Sequence, residues 1–273
     1  MKMKKILSGI LALTATVGCV GMFSACETAH PKIEMTLAFD GETYELDYTL
    51  YRKVAPATVK HFLTLVEGGY YKDLCVHNYA DSRMYTGAYK ANTDGTLDYQ
   101  KYYDIVKTYE NFPSTVFTEE GDSTYTLYGE FSNNSFEVEN GAKNEQFGSL
   151  SMFYTDKGSN EDRVSVVHPE AGEAKRYYKY NSATSEFFIS LKSSSTSSSN
   201  YCTFALLDED SKDELEALQD AIEEYVDGDD EALQDVTVEI NKDDLFVNDY
   251  NMEETYSVLQ KSVVIQSIAI KRA

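Results

Sequence analysis

The stretch from Ile33 to Leu50 constrains the fold most. Ile33–Phe39 (IEMTLAF) alternates weakly between apolar and polar residues. Thr43–Leu50 (TYELDYTL) places Tyr44, Leu46, Tyr48 and Leu50 on one face, and the turn-forming Asp40-Gly41-Glu42 lies between the two runs. Side chains two apart on a strand share a face, so the pattern predicts a hairpin with one side buried. A helical pattern follows. Pro56 suits a first helical turn, Val59, Phe62, Leu63 and Val66 recur at i, i+3, i+4 and i+7, and Gly68-Gly69 supplies the stop. Two strands and then an amphipathic helix predict the opening of a β-rich domain with a helix plugging one end.

Composition narrows the class. Apolar residues make up 42% of the 273 and charged residues 26%, with a mean hydropathy of −0.42. That balance is globular, neither disordered nor multi-spanning. With 24 Lys+Arg against 46 Asp+Glu, the net charge is −22. A nucleic-acid partner is therefore excluded, since phosphate contacts need a basic face. The acidity is concentrated: Asp208–Asp235 holds 14 acids and one base, Lys212. There it reads as a solvated face rather than a binding code.

The first residues are set aside from the fold. Lys2, Lys4 and Lys5 precede an apolar stretch from Ile6 to Val17 that is too short to span a bilayer comfortably. Ser24 and Ala25 then precede Cys26. The ending Phe23-Ser24-Ala25-Cys26 resembles the lipobox of bacterial lipoproteins, with Phe23 in place of the usual Leu; Cys19 is a rival site. The resemblance implies a lipoprotein signal peptide over residues 1–25, lipidation at Cys26 and a short tether over 26–32. The body then lies outside the cytoplasm, lipid-anchored to the cell membrane of a bacterial envelope. Only Cys75 and Cys202 remain in that body, as one disulfide or as two buried thiols. His30, His61, His77 and His168 are scattered, so no metal site is expected. Asp227–Glu231 (DGDDE) lacks the spacing of a calcium loop.

Further motifs carry a family resemblance. Val54–His77 (VAPATVKHFLTLVEGGYYKDLCVH) resembles the opening of cyclophilin-type peptidyl-prolyl isomerases: an Ala-Pro, a helix with Phe-Leu, a Gly-Tyr-Tyr and a His on the next strand. Tyr128–Asn134 (YGEFSNN), Gly148–Thr155 (GSLSMFYT) and Asn181–Leu191 (NSATSEFFISL) resemble three later segments, in the family's order. Thr203–Leu207 fits the next strand. Leu215, Leu218 and Ile222 fit a second helix, and Ser262–Ile270 fits a closing strand. The resemblance spans 33–273 and implies a mainly β fold, a closed eight-stranded antiparallel barrel capped by two helices. Insertions fall near 90–124, 158–180 and 223–257. In the first, Tyr99, Tyr102, Tyr103, Val106 and Tyr109 have helical spacing. The second reads as a hairpin of Val164–Val167 and Tyr177–Tyr180, and the third extends the second helix and adds Asp235–Ile240 (DVTVEI). Tyr-rich insertions suit interaction surfaces.

Prolyl isomerisation crosses a rotation barrier of about 18–20 kcal/mol, and a catalyst lowers it without covalent chemistry. It needs a donor near the prolyl nitrogen and an apolar cup for the ring. The resemblance implies a groove lined by His77, Met84, Thr86, Phe153, Glu186, Phe188 and Tyr201, with Phe188 part of the cup. Asn78 stands at the family's catalytic Arg position and Thr86 at its Gln position; Gly87 is kept and Ala88 replaces a Gly. Arg83 takes the place of a pocket aromatic, and Phe153 and Tyr154 follow the Ser-Met pair where a small residue is usual. Asn cannot reproduce a charged, bidentate guanidinium. No metal or cofactor is implied. The expected partners are proline-containing polypeptides and, through the lipid, a membrane; the expected state is a monomer. Three functions fit: an isomerase acting in protein folding, a non-catalytic polypeptide-binding module, or an envelope interaction protein built on the same barrel.

Overall fold

A computed structural model of the chain describes residues 28–102, 105, 108, 116–117, 127–132, 142–154, 163–168, 172–177, 182–196, 201–240 and 252–271. The expected signal peptide over residues 1–25 and Cys26 lie outside them, as do Tyr103, Val106 and Tyr109. The described strands are β1 (Lys32–Phe39), β2 (Glu42–Leu50), β3 (Asn78–Ala80), β4 (Arg83–Thr86), β5 (Tyr89–Ala91), β6 (Leu97–Tyr99), β7 (Val116–Phe117) and β8 (Leu127–Tyr128). They continue with β9 (Leu150–Tyr154), β10 (Arg163–His168), β11 (Gly172–Tyr177), β12 (Ser182–Ser190), β13 (Cys202–Leu207), β14 (Leu233–Ile240), β15 (Met252–Leu259) and β16 (Val264–Lys271). The helices are α1 (Pro56–Glu67) and α2 (Lys212–Gly228). None in the described residues is long and apolar enough to cross a membrane.

The predicted opening hairpin forms. Asp40 (φ 48°) and Gly41 (φ 91°) make the two-residue turn that matches strand twist, and β1 pairs with β2 from Lys32↔Thr49 to Phe39↔Glu42. The main sheet runs β16-β1-β2-β13-β9-β12-β4-β3, with β8 also on β12, and its ladders are antiparallel. The expected closed barrel is corrected here. The edge strands β3 and β16 do not pair, so the sheet is a curled half-barrel. The irregular segment 73–76 runs between the edges. Asp73 and Val76 donate backbone bonds to Ile265 and Val263, and Cys75 donates to Tyr89. Only one bridge forms there, Cys75 opposite Val264, and Asp73 at the start of the segment is left-handed at φ 65°.

The helices sit as their apolar stripes require. Phe62 of α1 packs on Tyr71, Phe187 and Phe204 at 5.1, 5.5 and 5.1 Å between ring centroids. α2 buries Leu215, Leu218 and Ile222, and much of its acidic surface faces outward. The second insertion holds a hairpin, β10–β11, with its first arm as expected, but the second arm is Gly172–Tyr177 rather than Tyr177–Tyr180, whose residues 178–180 lie outside the described residues; Asp235–Ile240 falls in a further hairpin, β14–β15. Helical spacing fails at Tyr99, which lies on β6 opposite Tyr89 across a turn containing Gly95 (φ 82°). Cys75 and Cys202 are both buried free thiols, which closes the question of a disulfide between them.

Candidate functional site

β3 and β4 are joined by Asp81 and Ser82, both left-handed at φ 55° and 59°. These non-glycine residues are disfavoured there. The turn is held from outside, with the Leu191 N–H donating to the Ser82 carbonyl and Lys192 Nζ to that of Asp81, each at 2.8 Å. β4 then pairs with β12, from Thr86↔Phe187 to Arg83↔Ser190. Strand alternation separates the residues of β4. Met84 and Thr86 are fully buried, Met84 in the main core and Thr86 donating from Oγ1 to the Cys75 carbonyl at 2.7 Å. Arg83 and Tyr85 take the opposite face, where Phe188 of β12 also lies.

That outer face is aromatic. Phe188 meets Tyr85 at 5.4 Å and Tyr201 at 5.2 Å, and Phe153 stands edge-on to Tyr85 at 5.6 Å. The backbone of Tyr154 belongs to β9, but its side chain lies outside the described residues. Arg83 caps the group, with its Cζ 4.4 Å above the Phe188 ring and 5.0 Å from that of Tyr201. Its Nε and Nη2 donate to Glu145 Oε1 and Oε2 at 2.9 and 2.8 Å, a bidentate pair. Ser190 Oγ donates to the same carboxylate at 2.6 Å. Burial pushes the Glu145 carboxyl up, but the Arg83 and Ser190 hydrogen bonds outweigh it and hold it below the usual carboxylate range. Phe188 is fully buried beneath this cover.

A second group adjoins it through Glu186, two residues before Phe188. His77 Nε2 lies 3.4 Å from Glu186 Oε2, and its ring is stacked edge-on with Tyr89 at 4.9 Å and Tyr256 at 5.0 Å. Tyr256 comes from the β14–β15 hairpin, whose Val238, Tyr256 and Val258 form a small core with Cys75, Ala88 and Tyr89. The hairpin is fastened to β3 by Asn78, whose Oδ1 accepts from the Ser257 N–H at 3.1 Å. So His77 and Glu186 are brought together, and Phe153, Phe188 and Tyr201 are brought together. Met84 and Thr86 turn into the core, and Asn78 turns to the hairpin.

Chemically, the surface offers aromatic faces, one carboxylate-held guanidinium and the largely buried Glu186 carboxylate, while the Asn78 amide oxygen is already an acceptor for backbone. Sequence reasoning missed Glu145, Tyr85, Tyr256 and Ser257. Alternation with Arg83 along β4 was the available signal for Tyr85. Glu145 and Ser257 lie 62 and 179 residues from the side chains they hold, and no local pattern marks them.

Comparison with known proteins agrees with the motifs. The family model described as cyclophilin-type peptidyl-prolyl cis-trans isomerase matches residues 35–242. No curated protein matches the chain. Among solved structures, the chain is similar to a Cryptosporidium parvum cyclophilin-type peptidyl-prolyl cis-trans isomerase, at 16% identity and a TM-score of 0.44, covering 89% of this chain and 99% of that one. A second structure of that protein, determined in the presence of the dipeptide Ala-Pro, gives the same values. The Mimivirus cyclophilin is similar at 16% identity and a TM-score of 0.40, over 73% of this chain and 80% of that one.

Proposed function

The chain belongs to the cyclophilin-type peptidyl-prolyl cis-trans isomerase family, and from that premise we propose that it is a polypeptide-binding member with little or no isomerase turnover, held outside the cytoplasm by a lipid on Cys26. The observation that carries the loss of turnover is at Asn78. Isomerisation is accelerated by a preorganised donor aimed at the twisted amide. Here that position holds an uncharged side chain whose oxygen accepts the Ser257 N–H. A neutral amide supplies no positive charge to the prolyl nitrogen, and the Ser257 bond holds this side chain toward the β14–β15 hairpin; Thr86, at the family's Gln position, spends its hydroxyl on the Cys75 carbonyl. The aromatic outer face around Phe153 and Tyr201 remains suited to holding a chain without reacting with it.

A protease-coupled assay on a prolyl tetrapeptide tests this reading. The expected rate equals the uncatalysed one, which runs over tens to hundreds of seconds. Asn78→Arg is expected to raise it only slightly, because the β14–β15 hairpin still adjoins the site. An accelerated rate for the unmodified protein overturns the reading, while binding on a peptide array that survives Asn78→Ala supports it. The anchor is read separately: the protein is expected in the membrane fraction of the producing cell, and Cys26→Ser is expected to release it.

A further inference from the structure

Phe188 occupies the outer face of the sheet yet has no exposed surface, and side chains are what cover it. Tyr85 and Tyr201 stand against the ring at 5.4 and 5.2 Å, and the Arg83 guanidinium lies over its face at 4.4 Å. A flat cation stacked at that distance fills the volume that an alicyclic ring needs to pack on the same face. We propose that Arg83 is the specificity-determining residue of this surface: its guanidinium is a built-in occupant of the aromatic cup of Phe188 and Tyr201, so the cup is closed to proline rings and polypeptides bind without a preference for proline.

Three arrangements keep the occupant in place. The two parallel hydrogen bonds to Glu145 fix the plane of the guanidinium. Glu145 is itself positioned by Ser190 Oγ and by the Ser194 N–H, which donates to the Glu145 backbone carbonyl at 2.7 Å. The Asp81-Ser82 turn, tied to Leu191 and Lys192, sets where β4 begins and so where Arg83 projects. Admitting a proline ring means swinging Arg83 away and leaving the Glu145 carboxylate, only 8% exposed, without its partner. Breaking one half of such a pair is strongly unfavourable. Proline is therefore excluded by an internal competitor, although Phe188 itself is retained.

This inference rests on the polypeptide-binding reading above, and titration of the full-length protein with two peptides separates their failures. The peptides are Ala-Ala-Pro-Phe and Ala-Ala-Ala-Phe, followed by calorimetry. The unmodified protein is expected to bind both within about twofold. Arg83→Ala is expected to favour the prolyl peptide by about tenfold. Because that variant strands Glu145, the double variant Arg83→Ala/Glu145→Gln is measured beside it, with thermal melting reporting that it is folded. A prolyl preference of about tenfold in the unmodified protein overturns the proposal, as does a folded double variant that shows none. If the unmodified protein binds neither peptide while the folded variants bind the prolyl one, Arg83 is still the residue that closes the cup to proline, and it is the binding reading that falls.

Discussion

At the scale of single residues, the site is governed by contacts that each position makes far along the chain. Gly87 is the clearest case. Its φ of 96° lies in the left-handed region, and a Cβ there would stand 2.5 Å from the Ser185 carbonyl oxygen on β12. Its own carbonyl accepts from Ser185 Oγ at 2.6 Å and from the Tyr70 hydroxyl at 3.1 Å. An added methyl must push β12 away just before Glu186 and Phe188. Gly87→Ala is therefore expected to cost about 2 kcal/mol or more, from backbone strain and lost hydrogen bonds together. Urea unfolding measures it, and a loss below about 0.5 kcal/mol would show that the strand yields freely. In the sequence, the expectation that Gly87 is a kept glycine and that Asn78 and Arg83 are departures rests on resemblance alone. It does not reveal what those departures do, because Glu145 and Ser257 are ordinary residues until the fold sets them opposite Arg83 and Asn78.

Among the elements, α1 shows how a helix can depend on a remote partner. Its N-cap residue, Ala55, has no side chain able to accept a hydrogen bond. The orphan N–H groups of Ala57 and Thr58 are met instead by Glu130, at 3.1 and 2.8 Å, from a segment just after β8. Glu130 is only 4% exposed, so its loss leaves buried donors unmet. Glu130→Ala is expected to lower stability by about 2 kcal/mol. The midpoint of denaturant unfolding checks this, and an unchanged midpoint would mean that water replaces the cap. The helix itself was legible from Pro56 and its apolar stripe, and so were α2, the β1–β2 hairpin and the first arm of β10–β11, while β11 falls at Gly172–Tyr177, before the expected Tyr177–Tyr180. The β5–β6 hairpin was marked only by Asp94-Gly95, which the helical spacing of the nearby tyrosines overrode. The sheet's closure was not legible, because it turns on how the segment 73–76 meets β16 nearly two hundred residues later, through the single bridge of Cys75 and Val264.

For the whole molecule, pH enters through His61, fully buried in α1 with Nε2–H donating to the Thr184 carbonyl at 2.6 Å. Burial lowers its pKa to about 4, partly offset by that hydrogen bond. As pH falls from about 6.5 towards 4, the unfolded chain gains a proton that the folded chain refuses. The stability contribution is complete above that window and is lost on descending through it, by roughly 3 kcal/mol. Melting temperature measured against pH should fall more steeply for the unmodified protein than for His61→Gln, and coincident profiles would remove His61 as the cause. By itself, the sequence determined the opening hairpin, both helices, the family, and the placing of the acidity on α2 and its extension. These follow from backbone periodicity and turn chemistry acting within a few residues, and from motifs kept in order. Only the tertiary structure decided that the sheet stays open, that Asn78 serves a hairpin, and that Arg83 covers Phe188. Each of these depends on which distant residues the folded chain brings within hydrogen-bond or stacking distance, and that distance is set by the packing of the whole sheet rather than by neighbours in sequence.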